Sequence, residues 1–155
     1  MATIERAIEI AARAHAGQTD KDGQPYVFHP LRAMAAVEGA DAKVAAVLHD
    51  VVEDTSVTLE DLRREGFSEP VLSAVDCLTH RKDESYADYV VRCKANAVAL
   101  PVKLADLKDN TRPERALLRP GKFESDLARI KRYYLSYKFL TDKIAEADFR
   151  ALMRD

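Results

Sequence analysis

Apolar residues recur at three- and four-residue steps along most of the chain. Over residues 3–16, Ile4, Ala7, Ile8, Ala11, Ala12 and His15 share one face, the pattern of an amphipathic helix, and Gly17 ends it. Residues 18–28 are polar turn chemistry, with Asp22-Gly23 and Pro25. A helix is predicted over 30–37, with Pro30 in its first turn. Asp41 is placed to cap the next, 42–53. Thr58 with Asp61 reads as a capping pair for a helix closed by Gly66. Ser68 can cap a helix with the period Val71, Leu72, Val75, Leu78, and Ser85 with Asp88 can cap 86–95. Further helices are predicted over 98–110, with Pro101 in the first turn, over 123–141 and over 144–152. Sustained alternation is missing, and Tyr26–Phe28 is the one strand candidate. The pattern predicts an all-α fold.

At 155 residues the chain is read as one domain, 1–155. Lys and Arg number 24 against 26 Asp and Glu, which excludes a whole-surface basic footprint, so nucleic acid is not an expected partner. Cys77 and Cys93 both lie in helical apolar patterns and read as buried free thiols rather than a disulfide framework. The N-terminal segment carries Glu5, Arg6 and Glu9 where a signal peptide would be apolar. No apolar run approaches the ~20 residues of a membrane span. A cytoplasmic location is the expectation by elimination, and the oligomeric state is left open.

Residues 44–54, VAAVLHDVVED, change the picture. Val44, Ala45, Val47, Leu48, Val51 and Val52 cover most of a helix circumference, which predicts burial. Into this segment are set His49, Asp50, Glu53 and Asp54, one polar stripe at helical spacing. At an effective dielectric near 20, two like charges ~4 Å apart cost about 4 kcal/mol. Such a stripe needs positive charge: either a divalent cation held by His and Asp, or basic side chains with Glu53 and Asp54 solvated at a helix end. Residues 102–110, VKLADLKDN, set Asp106 among Val102, Leu104, Ala105 and Leu107, with Asn110 one turn on. Asp106 needs a partner too, either Lys103 or Arg112 in an ion pair, or a metal. His29 sits at a loop-to-helix junction in PYVFHP. Together His29, His49, Asp50 and Asp106 would supply two nitrogens and two carboxylates, an open set for Mn, Fe, Zn or Co.

The set PYVFHP, HDVVEDT and KLADLKDN resembles the HD superfamily of metal-dependent phosphohydrolases, and more closely the hydrolase domain of RelA/SpoT-type alarmone enzymes and their small stand-alone relatives. The likeness runs from about Ile8 to Arg112, with AHAGQ at 14–18 and KDGQPYVFHP at 21–30. It implies a compact helical bundle around one metal site, Mn²⁺, held by His29, His49, Asp50 and Asp106. It implies that Glu53 and Asp54 position or deprotonate the attacking water, and that Lys21, Asn110 and Tyr133 meet a small-molecule nucleotide. The family reaction removes pyrophosphate from the 3′ position of ppGpp or pppGpp. The length leaves no room for a synthetase domain, so degradation of an alarmone is the expectation.

The likeness has one departure. Where many such hydrolases carry an Arg that packs on guanine, this chain has Asp20. A carboxylate cannot stack as a guanidinium does, and beside a polyphosphate it would add repulsion of about 1 kcal/mol when well solvated. Other readings therefore stand beside the first: hydrolysis of another nucleotide, or a catalytically silent nucleotide- or metal-binding module. Further residues carry plainer expectations. His15 is read as a core histidine bonded to backbone. His80, Arg81 and Lys82 are read as a solvated loop, and Arg129, Lys131 and Arg132 as a solvated face with one member available to phosphates. Tyr133, Tyr134 and Tyr137 are read as packing residues.

Overall fold

The computed structural model describes residues 1–115 and 118–154. Its elements are helices: α1 (Ile4–Ala14), α2 (Phe28–Ala35), α3 (Ala40–Leu48), α4 (Val51–Asp54), α5 (Leu59–Arg64), α6 (Glu69–Leu78), α7 (Tyr86–Lys94), α8 (Ala99–Asn110), α9 (Phe123–Leu140) and α10 (Glu146–Leu152). The all-α expectation holds. No β-strand occurs among the described residues; the candidate at Tyr26–Phe28 is instead a turn running into α2, because Phe28 is already helical. Extended pairing reduces to one isolated bridge, Thr19 with Pro25.

Local chemistry sets the helix ends. Thr58 accepts from the Asp61 backbone N–H while the Asp61 carboxylate accepts from that of Thr58, a reciprocal cap on α5. Ser85 accepts from Asp88 N–H at the start of α7. Two capping expectations fail. Asp41 lies inside the first turn of α3, which starts after Gly39 at φ 87°, and the Ser68 hydroxyl donates to the Asp41 carboxylate rather than capping α6.

Helix α3 is the central element. Val44 through Leu48 are all buried, and the helix packs against α1, α2, α6 and α8. Val44, Val47 and Leu48 each contribute about 1.5–3 kcal/mol by burial, so the end of α3 is held firmly from every side. At the far end of the chain Phe139 and Phe149 stack at 4.6 Å and join α9 to α10. The helix expected over 42–53 is two, α3 and α4, with an interruption at His49–Asp50. His49 spends its ring Nδ1 on the Ala46 carbonyl at 2.7 Å, and Asp50 is left with φ −100° and ψ −7°. The polar pair thus sits at a helix break walled by core.

Candidate metal centre

Four side chains from three places converge. His29 comes from the first turn of α2, His49 and Asp50 from the α3–α4 break, and Asp106 from the middle of α8. The two histidine Nε2 atoms stand 3.2 Å apart. Asp50 Oδ2 lies 3.1 Å from His49 Nε2 and 3.6 Å from His29 Nε2. Asp106 Oδ1 lies 3.2 Å and 3.7 Å from His29 and His49 Nε2 respectively. His29, His49 and Asp50 form a group whose ligand atoms all lie within 4.8 Å of one another.

The outward nitrogens fix what the inward ones offer. His49 Nδ1 faces a carbonyl, which only accepts, so it carries a proton. His29 Nδ1 faces Asp109 Oδ2 at 2.6 Å and carries a proton for the same reason. Were both rings neutral, they would aim Nε2 lone pairs at each other and at two carboxylate oxygens. Either extra protons or a cation must resolve that. Despite burial, which opposes it, the charges of Asp50 and Asp106 draw His49 well above its ordinary value, and hydrogen bonds to Asp106 and Asp109 draw His29 up. Burial is the largest influence on Asp50 and Asp106 and would raise both, but His49 and His29 together outweigh it for Asp50, and Lys103 with the two histidines outweighs it for Asp106, so both carboxyls stay below their ordinary range. A divalent cation does the same work at one point, and two imidazole nitrogens with two carboxylate oxygens suit it. The acceptors behind each ring are the orienting partners such ligands use.

Surrounding groups reinforce the arrangement. Tyr26 donates its hydroxyl to Asp50 Oδ2 at 2.6 Å. Asn110 Nδ2 donates to Asp106 Oδ1 at 2.6 Å, and Lys103 Nζ donates to Asp106 Oδ2 at 2.7 Å. Lys103 is 5% exposed, so the ion-pair reading of Asp106 holds alongside the convergence of its other oxygen on the histidines. Asp109 is gripped by Arg32 at 2.7 and 3.0 Å. Burial works against its charge, yet His29 and Arg32 hold it below the ordinary carboxylate range.

A cavity of about 520 Å³ opens over this cluster. Glu53 and Asp54 line it from the end of α4, and Lys21, Asn110 and Tyr133 line it as well. Partial burial first, then the neighbouring carboxylates, push Glu53 and Asp54 above their ordinary values. Glu53 Oε2 accepts from the His80 backbone N–H at 2.8 Å. Every expected site residue thus falls at or beside one cavity, with His49 buried behind its wall.

Several expectations are corrected. Asp20 lines the cavity but does not face a ligand as a bare charge: Oδ1 accepts from the Asp22 and Gln24 N–H groups, and Oδ2 accepts from Arg115 at 3.0 Å. Its side chain is 7% exposed, so the repulsion expected of a solvated carboxylate does not apply. His15 bonds the Gln18 side chain at 2.8 Å, not backbone. His80 is half-buried and lines the cavity, as do Arg129 and Arg132. Tyr26, Asp109 and Arg115 went unassigned from the sequence. Tyr26 lay inside the PYVFHP segment and Asp109 inside KLADLKDN, but nothing in spacing distinguishes them from solvated neighbours.

A helical bundle holding a His/Asp cluster under a polar cavity defines a metal-binding class of site. The HD domain family matches residues 7–99, and this chain belongs to that family. Membership implies a divalent metal cofactor, and the donor set above fits one. Among curated relatives, a "GTP pyrophosphokinase" of Streptomyces coelicolor is 40% identical over 129 residues, 75% of this chain and 15% of that protein. A "Guanosine-3′,5′-bis(diphosphate) 3′-pyrophosphohydrolase" of Aquifex aeolicus is 34% identical over 121 residues, 70% of this chain and 17% of that protein. The chain thus spans roughly a sixth of the length of these relatives. A solved structure described as "A metazoan ortholog of SpoT hydrolyzes ppGpp and plays a role in starvation responses" superposes with TM-score 0.68 at 24% identity, covering 99% of this chain and 95% of that one. No helix among the described residues is long and apolar enough to cross a membrane.

Proposed function

We propose that this protein is a metal-dependent nucleotide phosphohydrolase whose substrate is guanosine 3′,5′-bis(diphosphate), cleaved at the 3′ pyrophosphate, and that residues 1–155 act as one HD-type domain. The observation that carries the reading is the convergence of two Nε2 atoms and two carboxylate oxygens beside a second carboxylate pair in one cavity. His29, His49, Asp50 and Asp106 would hold the metal, Mn²⁺ in the first instance, with Fe, Co or Zn also suited to the donors. Such an ion lowers the pKa of water toward neutrality and neutralises phosphate charge. Glu53 or Asp54, set above their ordinary values, take the water proton as general base. Lys21, Arg129 and Arg132 line the cavity and supply positive charge for the phosphates. Asn110 and Tyr133 line the same cavity for the nucleoside.

Two activities appear in the names of the relatives. A pair of water-activating carboxylates is what hydrolysis needs, and it favours the pyrophosphohydrolase. The experiment is incubation of ppGpp with protein loaded in turn with Mn²⁺, Co²⁺ and Zn²⁺, with products separated by chromatography. GDP with pyrophosphate is the expected pair. Unchanged ppGpp under every metal would overturn the substrate assignment.

A further inference from the structure

Glu53 sits near the end of a four-residue helix. Its side chain accepts a hydrogen bond from outside that helix, from the His80 backbone N–H. The loop that presents this N–H, residues 79–85, is closed by side chains. Arg92 Nη1 donates to the Asp76 carbonyl at 2.7 Å and Nη2 to the Thr79 carbonyl at 3.0 Å. The same guanidinium makes a two-armed pair with Glu84, Nε to Oε1 at 2.8 Å and Nη2 to Oε2 at 2.7 Å. Both partners are largely buried, at 21% and 13% side-chain exposure. His80 Nε2 bonds the Glu84 carbonyl at 2.9 Å, and its ring lies 5.0 Å from that of Tyr89. Arg92 thus ties the end of α6, both ends of the loop and α7 into one unit, and the unit offers a single N–H to the cavity carboxylate.

We propose that the His80 N–H, held in place by the Arg92–Glu84 clamp, aims Glu53 at the reacting water, which makes Arg92 and Glu84 positioning residues for hydrolysis. The inference rests on the reading of Glu53 above. A carboxylate with one N–H on Oε2 keeps Oε1 free toward the cavity, and the bond selects one rotamer among those a glutamate at a short helix end would sample. Neither Arg92 nor Glu84 lines the cavity, so their loss touches the water only through Glu53.

The test separates the N–H from the side chain. Thr79 has φ −85° and ψ 115°, the conformation a residue before proline prefers, so His80→Pro deletes the N–H while His80→Ala keeps it. With Mn²⁺ and ppGpp, His80→Pro is expected to lower kcat by up to about 100-fold, the scale of a 1 Å misplacement, with KM and Mn²⁺ affinity within about threefold of wild type. His80→Ala, which keeps the N–H and loses only the ring's bond to the Glu84 carbonyl, is expected to lower kcat clearly less than His80→Pro. Arg92→Gln and the nearly isosteric Glu84→Gln should lower kcat in the same sense, with KM and Mn²⁺ affinity again within about threefold of wild type. Equal losses in His80→Pro and His80→Ala, or wild-type kcat in both Arg92→Gln and Glu84→Gln, would overturn the proposal. Wild-type protein that binds Mn²⁺ but leaves ppGpp intact would instead overturn the reading on which it rests, and the positioning role with it.

Discussion

Replacing Lys103 by Met tests whether one carboxylate, Asp106, is shared between a buried ammonium and a cation. Lys103 Nζ lies 2.7 Å from Asp106 Oδ2 and 4.8 Å from the Tyr89 ring centroid, and the residue is 5% exposed. Met keeps the length of the apolar stem and a favourable contact with the ring. It removes the charge that Asp106 leans on. Breaking one side of a buried pair costs about 3–5 kcal/mol. Asp106 retains Asn110 and the histidine edge as partners, so the lower figure applies. For a chain of this size that is a fall in Tm of roughly 6–12 °C in EDTA, at about 2–4 °C per kcal/mol. Excess Mn²⁺ changes the outcome, because a cation on the other Asp106 oxygen compensates the same charge and no longer competes with the ammonium. The variant should then recover most of the loss, and its rise in Tm on adding metal should exceed that of wild type. Thermal melts of both proteins in EDTA and in MnCl₂ measure it. Equal destabilisation in the two buffers would refute a metal role for Asp106.

Other outcomes follow from the same geometry. Glu53→Gln should retain metal and lose turnover, and should also melt higher. Burial and the nearby carboxylates favour the protonated acid in the folded state, so folding takes up a proton and stability falls as pH rises from the ordinary carboxylate range through the raised value; Gln removes that penalty at neutral pH, as paired melts at pH 7 would show. With the ionised Glu53 carboxylate as the proposed base, kcat/KM should rise with pH through a limb above 4.5, and a limb at or below that value would contradict the assignment. Asp109→Asn should weaken Mn²⁺ binding by about 10- to 100-fold in calorimetry, since it strips the carboxylate behind His29. Phe139→Ala, remote from the cavity and stacked on Phe149, should cost about 3–5 kcal/mol in urea unfolding without moving the metal affinity.

Much of this was legible in the sequence, for identifiable reasons. Helix existence followed from periodicity, and caps such as Thr58–Asp61 and Ser85–Asp88 are local enough to be read directly. Capping by Asp41 and Ser68 was misread because each had a partner distant in sequence, namely the other. Continuity from 42 to 53 was misread because the break comes from the His49 ring bonding Ala46, a rotamer choice that spacing does not show. Carboxylates and imidazoles set in apolar runs announced His49, Asp50 and Asp106, since burial without a partner is costly. His29, at a loop-to-helix junction, carried no such signal by itself and entered only as the fourth member of the set. Tyr26, Asp109 and Arg115 were not legible, because their roles exist only where loops meet across 24, 80 and 95 residues of sequence. Asp20 shows the limit most clearly. Its departure from the family pattern was visible, but its inward turn onto Arg115 was not.

The central claim, metal-dependent hydrolysis at this cluster, is tested most directly by pyrophosphate release from ppGpp. Wild type, Glu53→Gln and His49→Ala would be compared with metal content determined in the same samples. The account predicts release by metal-loaded wild type, no release by Glu53→Gln that still carries stoichiometric metal, and loss of both metal and release in His49→Ala. Release that persists in His49→Ala, or that survives full chelation in wild type, would contradict it.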